Sequence, residues 1–365
     1  MKKMKLFFTL GFFTLVILHT NAGIWRINNL SNYDQGLFGS NVGGTSLKPV
    51  FKQLSDAMSY NPVSQISIDT LYVEGTNVAY NSFIVNKKVI IIGTGYFLSE
   101  NINVSTTPYG SNVGSVIFIA GSDSSQIIGM HVTNVNGISI NNSVSYILIK
   151  RCQIDYSVGV GYLNTYISVL QNYFSNTGNN TSSVIASNVN GFPTHFIFNN
   201  NICKKAFVIS NSTTVYNAEQ VNNNVFDCPS VSGGPSLKFN SGECRNNIIK
   251  TTGITVQVNG ANTNFTNNTS AIGSEQLGND ATNHVINIST LFVASGTTDG
   301  AYQLISSPQT VGFDGYQIGA YGGPAITNQY TLSGLAAIPV IYSIQTSGVS
   351  DNTNLPVKIR ARIIN

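Results

Sequence analysis

Five acids lie in the central part of this chain, where a carbohydrate-cleaving pair would have to be found: Asp123, Asp155, Glu219, Asp227 and Glu243. Glycoside hydrolysis needs two carboxyl groups about 5–10 Å apart. Measured against the repeat described below, no two of the five share a column. Glu219 and Glu243 come closest, one repeat apart and one register step off. Elimination next to a sugar carboxylate needs less: a base to take the proton and a cation to neutralise the acid. His131, Arg151 and Tyr173 would occupy neighbouring repeats on one face, which makes them the sharpest candidate constellation for substrate binding. Other chemistries find less support. No GxSxG elbow occurs, and Gly93-Thr94-Gly95 is not continued as a nucleotide fingerprint. Among Cys152, Cys203, Cys228 and Cys244 there is no CxxC or zinc spacing, so they either pair or pack as buried thiols.

Charge narrows the partners. Only 18 Lys and Arg and 15 Asp and Glu occur in 365 residues, or 9%, against about 25% in ordinary soluble domains. Nucleic acid is excluded as a partner, because phosphate binding needs clustered cations. A calcium or magnesium cofactor lacks its convergent carboxylates, so no cofactor and no metal are expected. Neutral glycans fit an amide- and hydroxyl-rich surface better than ionic partners do. Seventeen Tyr and the single Trp25 offer rings for sugar stacking, with Tyr156, Tyr162, Tyr166 and Tyr173 in one stretch.

Asn takes the place of the missing charge. There are 46, and 27 of them fall between Asn134 and Asn268. Aligning the segments around them gives a column of Met130, Cys152, Asn172, Asn200, Asn223, Asn246 and Asn267, at spacings of 20–28 residues. Two positions later stand Val132, Ile154, Phe174, Ile202, Val225, Ile248 and Thr269. Apolar positions alternating at period two, rich in Ile, Val and Phe, predict strands. A fixed period of this length predicts a solenoid. Stacked coils lie about 4.8 Å apart, so Asn amides in register can donate to one neighbour and accept from the next. The expected structural ladder is Asn172, Asn200, Asn223, Asn246 and Asn267.

These coils resemble those of the right-handed parallel β-helix (pectin-lyase-like) superfamily, with its Asn ladders at an inner corner. The N-terminal part is similar as well. Ser46–Pro49 leads into Val50–Met58, with Phe51, Leu54 and Met58 on one helical face, followed by strands at Asp69–Gly75 and Lys88–Gly93. The resemblance implies a helix that caps the solenoid and an IGAY-type closing strand at Asp314–Tyr321. The layout is similar to secreted β-helix proteins of the Bacteroidetes type, and it specifies architecture only.

Residues 1–22 read as a secretory signal peptide. Lys2, Lys3 and Lys5 precede an apolar run from Leu6 to Leu18, too short to span a membrane, and Thr20-Asn21-Ala22 follows. Cleavage leaves 15 basic and 15 acidic residues and no stable membrane insertion. The expectation is an all-β protein: a solenoid over 23–330 with its N-terminal cap, and a short β extension over 331–365. In that extension Lys358, Arg360 and Arg362 share one face and guard an edge strand. The expected role is a secreted, non-catalytic protein contacting extracellular or cell-surface glycans. The alternative is a carbohydrate-active enzyme, a metal-independent polysaccharide lyase or epimerase.

Overall fold

The computed structural model describes residues 23–30, 50–60, 68–101, 104–175, 182–186, 191–210, 214–229, 236–250, 256–258, 265–266, 269–270, 282–285, 290–293, 298–324, 328–346 and 357–363. Residues 1–22, the expected signal peptide, and Asn267 lie outside them. Three long parallel sheets carry the fold. The first has thirteen strands and runs from Val50–Phe51 and Gly23–Ile27 through Ile68–Val73, Ile90–Ile92, Gln126–Ile128, Leu148–Lys150, Thr165–Leu170, Thr194–Asn199 and Asn217–Asn222 to Leu237–Arg245 and beyond. The second has five strands, Phe83–Val85 to Val184–Ala186, and the third nine, Asn112–Val113 to His284–Val285. Each coil lays its strand beside that of the coil before, as in Leu148↔Ser168, Ile149↔Val169 and Lys150↔Leu170. The chain is therefore a strand-rich parallel stack, and its apolar alternation points Ile149, Val169, Phe198 and Val221 into one continuous core.

A sharp corner joins each first-sheet strand to the third sheet. Its residue has left-handed backbone in five successive coils: Arg151, Gln171, Asn200, Asn223 and Asn246, with φ between 54° and 59°. Asn tolerates that region better than most side chains. The next residue turns inward and forms the ladder. Asn172 donates its backbone N–H and its amide to Asn201 Oδ1 at 2.9 and 3.1 Å. Asn201 repeats this onto Asn224, and Asn224 onto Asn247. The inner ladder is therefore Asn172, Asn201, Asn224 and Asn247. Asn200, Asn223 and Asn246 are corner residues, one step out of the expected register. The slip enters after Asn172, where the true spacing is 29 residues.

Two other expectations change, and the cysteine alternative is decided. The helix is confined to Leu54–Ser59, because Val50–Phe51 pairs as a strand with Arg26–Ile27. It still buries Leu54, Ala57 and Met58, and Trp25, Phe51 and Tyr60 pack against one another beside it. Asp314–Tyr321 is not a closing strand. It is irregular chain whose Ile318 and Ala320 are buried against the outward side chains Ile202, Val225 and Ile248 of the third sheet, together with Leu291, Tyr302 and Tyr330. Those outward aliphatics are thus covered. All four cysteines are free and buried, and burial pushes the Cys152 thiol up to about 12.

The chain ends in an antiparallel hairpin, Pro339–Thr346 with Val357–Ile363. Lys358, Arg360 and Arg362 are exposed there. Among the described residues no helix is long and apolar enough to cross a membrane.

Candidate functional site

His131 and Tyr173 do share a column, on the outer side of the third sheet, with Gln153 between them. His131 is held at both ring nitrogens, by Asn112 Oδ1 at 3.1 Å and Asp155 Oδ2 at 3.0 Å. The other Asp155 oxygen accepts from Ser175 Oγ at 2.7 Å and Gln153 Nε2 at 3.2 Å. Burial alone would raise the Asp155 carboxyl. Its hydrogen bonds and the charge of His131 outweigh that and hold it below its ordinary range. Asp155 and Asp227 also fall in one column, through Ser175 and Lys204, contrary to the sequence alignment. Three coil steps separate them by about 14 Å, too far for a hydrolytic pair.

Arg151 does not join that group. It is a corner residue, only 2% exposed. Its guanidinium donates to Gln171 Oε1 at 2.8 Å and to the carbonyl of Leu335 at 2.9 Å. Tyr173 is equally buried, among Tyr96, Phe97 and Tyr302, and burial raises its phenol. The C-terminal segment thus lies over Arg151 and Tyr173, and the three predicted substrate-binding residues meet at no common open surface.

The open surface is the outer face of the first sheet. Its floor has two outward columns. One contains Leu148, Ser168, Ile197, Gln220 and Glu243, the other Lys150, Leu170, Asn199, Asn222 and Arg245. Where Phe313, Asp314, Gly323, Pro324 and Asn328 stand beside this floor they enclose a cleft of about 440 Å³. The floor amides interlock. Asn199 Nδ2 donates to Gln220 Oε1 at 2.9 Å, and Asn222 Nδ2 donates to Glu243 Oε1 at 2.6 Å. Asn199 Oδ1 accepts the N–H of Asn222, and Asn222 Oδ1 accepts the N–H of Arg245. The corner amides fix the wall: Asn200 Nδ2 donates to the carbonyls of Ala320 and Gly322, and Asn246 Oδ1 accepts the N–H of Phe313. The Arg245 guanidinium stands over the Phe313 ring at 4.2 Å, and its Nη1 lies 3.9 Å from Glu243 Oε2. The cleft therefore offers mostly neutral, rigidly held donors and acceptors beside an exposed aromatic ring.

The other edge of the same face carries a second array. Tyr146 stands two residues before its strand, and Tyr166 and His195 are the second residues of Thr165–Leu170 and Thr194–Asn199, all with left-handed backbone. Tyr146 and Tyr166 stack at 4.8 Å and 8°, Tyr166 and His195 at 4.3 Å and 4°. His195 Nδ1 meets Glu219 Oε2 at 2.7 Å. His195 is therefore an exposed strand residue, stacked on Tyr166 and paired with Glu219. Trp25, by contrast, is buried and unavailable to a ligand.

No protein-family model matches this sequence, and no curated protein or solved structure matches it. Function has to be read from the geometry. Among the described residues no group of three His, Cys, Asp or Glu side chains could hold a metal ion.

One signal for the cleft is present in the sequence. The triplets Asn199-Asn200-Asn201 and Asn222-Asn223-Asn224 each supply one floor residue, one corner residue and one ladder residue. Adjacent residues around such a turn cannot share a direction, so a run of three must serve three surfaces.

Proposed function

We propose that this is a secreted right-handed parallel β-helix of the pectin-lyase-like kind, and that its first-sheet cleft binds neutral extracellular or cell-surface glycans. The observation that carries the reading is the interlocked floor, Asn199 to Gln220 and Asn222 to Glu243. Amides already fixed by one hydrogen bond lose little entropy when a hydroxyl takes their remaining capacity. The floor repeats once per coil, about every 4.8 Å, close to the length of one pyranose ring in an extended chain. Phe313, 57% exposed, supplies an apolar face at the wall. The basic and apolar segments before residue 22 support export.

The test is a panel of neutral, uronic and sulfated oligosaccharides, measured by calorimetry and assayed for new reducing or unsaturated ends. The reading expects binding of neutral chains, weakened about fivefold or more by Asn222→Ala, without new ends. New ends would replace it with the enzyme reading, and no binding by any class would overturn both.

A further inference from the structure

The stacked rim is one ring short. Strand register puts Lys88, Ser124, Tyr146, Tyr166 and His195 in one column, each a coil from the next, and His195 Nδ1 meets Glu219 of the following coil. Tyr166 has a ring on both faces. Among the described residues Tyr146 stacks on Tyr166 alone, and it remains 55% exposed. On its other side the column offers only the small side chain of Ser124. Beyond that, two coils or about 10 Å from Tyr146, comes Lys88.

Ser124 shares the backbone of the ring-bearing positions: φ is 62° at Ser124, 59° at Tyr146, 55° at Tyr166 and 55° at His195. Side chains on the same corner backbone leave the coil in the same direction, so the level of Ser124 is where the next parallel ring would stand. Left-handed backbone costs a non-glycine residue on the order of 1–2 kcal/mol. Here it holds two half-exposed tyrosines that contribute little to the core, and strain kept at an exposed surface points to a use.

We propose that the level of Ser124 is a stacking subsite for one pyranose ring of a bound glycan, an inference that rests on the glycan reading above. The apolar C–H face of the sugar lies on Tyr146. Its hydroxyls meet hydrogen-bonding groups around the ring edge: the Ser124 hydroxyl, the exposed Asp123 carboxylate and the exposed Lys88 ammonium. Asp123 is already oriented, because its Oδ1 accepts the N–H of Ser145 at 2.8 Å. A flat aromatic ligand would use Tyr146 alone and leave this polar surround without partners, so a sugar is the better occupant.

The experiment compares the wild type, Tyr146→Ala and Ser124→Tyr for binding of cellohexaose, xylohexaose, mannohexaose and a galacturonate hexamer. Ser124→Tyr supplies the missing ring from the protein itself, on backbone that already carries tyrosine one coil away. Both variants should keep the wild-type circular dichroism and lose about five- to tenfold in affinity for the best-bound hexamer. Saturation-transfer NMR on the wild type should show transfer between sugar protons and a tyrosine ring, lost in Tyr146→Ala, which tests the subsite even if a variant fails to fold. If a hexamer binds the wild type and folded Ser124→Tyr equally well, the subsite is wrong while the glycan reading stands. If no hexamer binds the wild type, both fall.

Discussion

Asn201 Oδ1 accepts two hydrogen bonds from a single residue, the backbone N–H and the side-chain amide of Asn172, at 2.9 and 3.1 Å. Asn201 in turn donates its own amide to the carbonyl of Val169 and to Asn224 Oδ1. Every polar atom of the amide is thereby engaged away from water, and each coil is locked to the next.

Replacing Asn224 by Leu removes the acceptor of Asn201 and the donor to Phe198 and Asn247. Each buried group left without a partner costs about 1–3 kcal/mol, so the loss should total about 3 kcal/mol or more in chemical denaturation. Asn223→Gly is the control. Asn223 is a corner residue with φ of 56°, a region glycine enters freely, and its stability should change by less than about 1 kcal/mol. Equal losses for the two would refute the ladder register.

Asp299 gives the C-terminal cover a pH dependence. Its carboxyl is buried, which pushes it from 3.8 up to about 6, although Asn101, the Ser333 N–H and Tyr330 all donate to it. Tyr330 is also bonded to Tyr96, so the network ties early coils to the C-terminal segment. A carboxyl raised on folding binds its proton more tightly in the folded state. Its contribution to stability is complete below about pH 4 and is lost as pH rises through about 6. Between pH 4 and 7 the wild type should lose stability relative to Asp299→Asn. Parallel pH profiles of the two in urea denaturation would exclude this role.

Arg151 is expected to hold the cover and to take no part in turnover. Arg151→Ala removes donors from Gln171 Oε1 and the Leu335 carbonyl, at about 1.5–3 kcal/mol per charged hydrogen bond. Hydrogen exchange should rise first in residues 328–338. Binding of a neutral hexamer should change less than twofold, and a larger loss would return Arg151 to the ligand site.

The four thiols should be silent to a charged disulfide reagent in the native protein and should all react after denaturation. They are free and buried, and burial raises the thiols of Cys152, Cys203, Cys228 and Cys244 well away from ionisation. Native labelling of any one would show an opening that the packed core does not contain.

Much of the stack is legible in the sequence because coil neighbours obey a local rule. Val132, Ile154 and Phe174 fall into register by spacing alone, as parallel pairing confirms. Spacing alone places the ladder one residue early from Asn200 onward because the corner and the inward position are both Asn in three successive coils, and composition cannot tell which of two adjacent amides turns inward. The rim of Tyr146, Tyr166 and His195 escapes the pattern for a related reason: left-handed backbone, not strand alternation, sets its direction.

The sequence by itself determined the low charge, the parallel strands and the use of amides between coils. Like residues stack over like at about 4.8 Å, where charges would repel and amides do not. Only the tertiary structure decided which side chains remain open. Leu335 meets Arg151 across 184 residues, and Tyr302 packs on Tyr173 across 129. Contacts of that range are made by a segment outside the repeat and leave no period to read. They cover Arg151 and Tyr173, two of the three expected substrate-binding residues, and leave the amide floor of the first sheet open to a ligand.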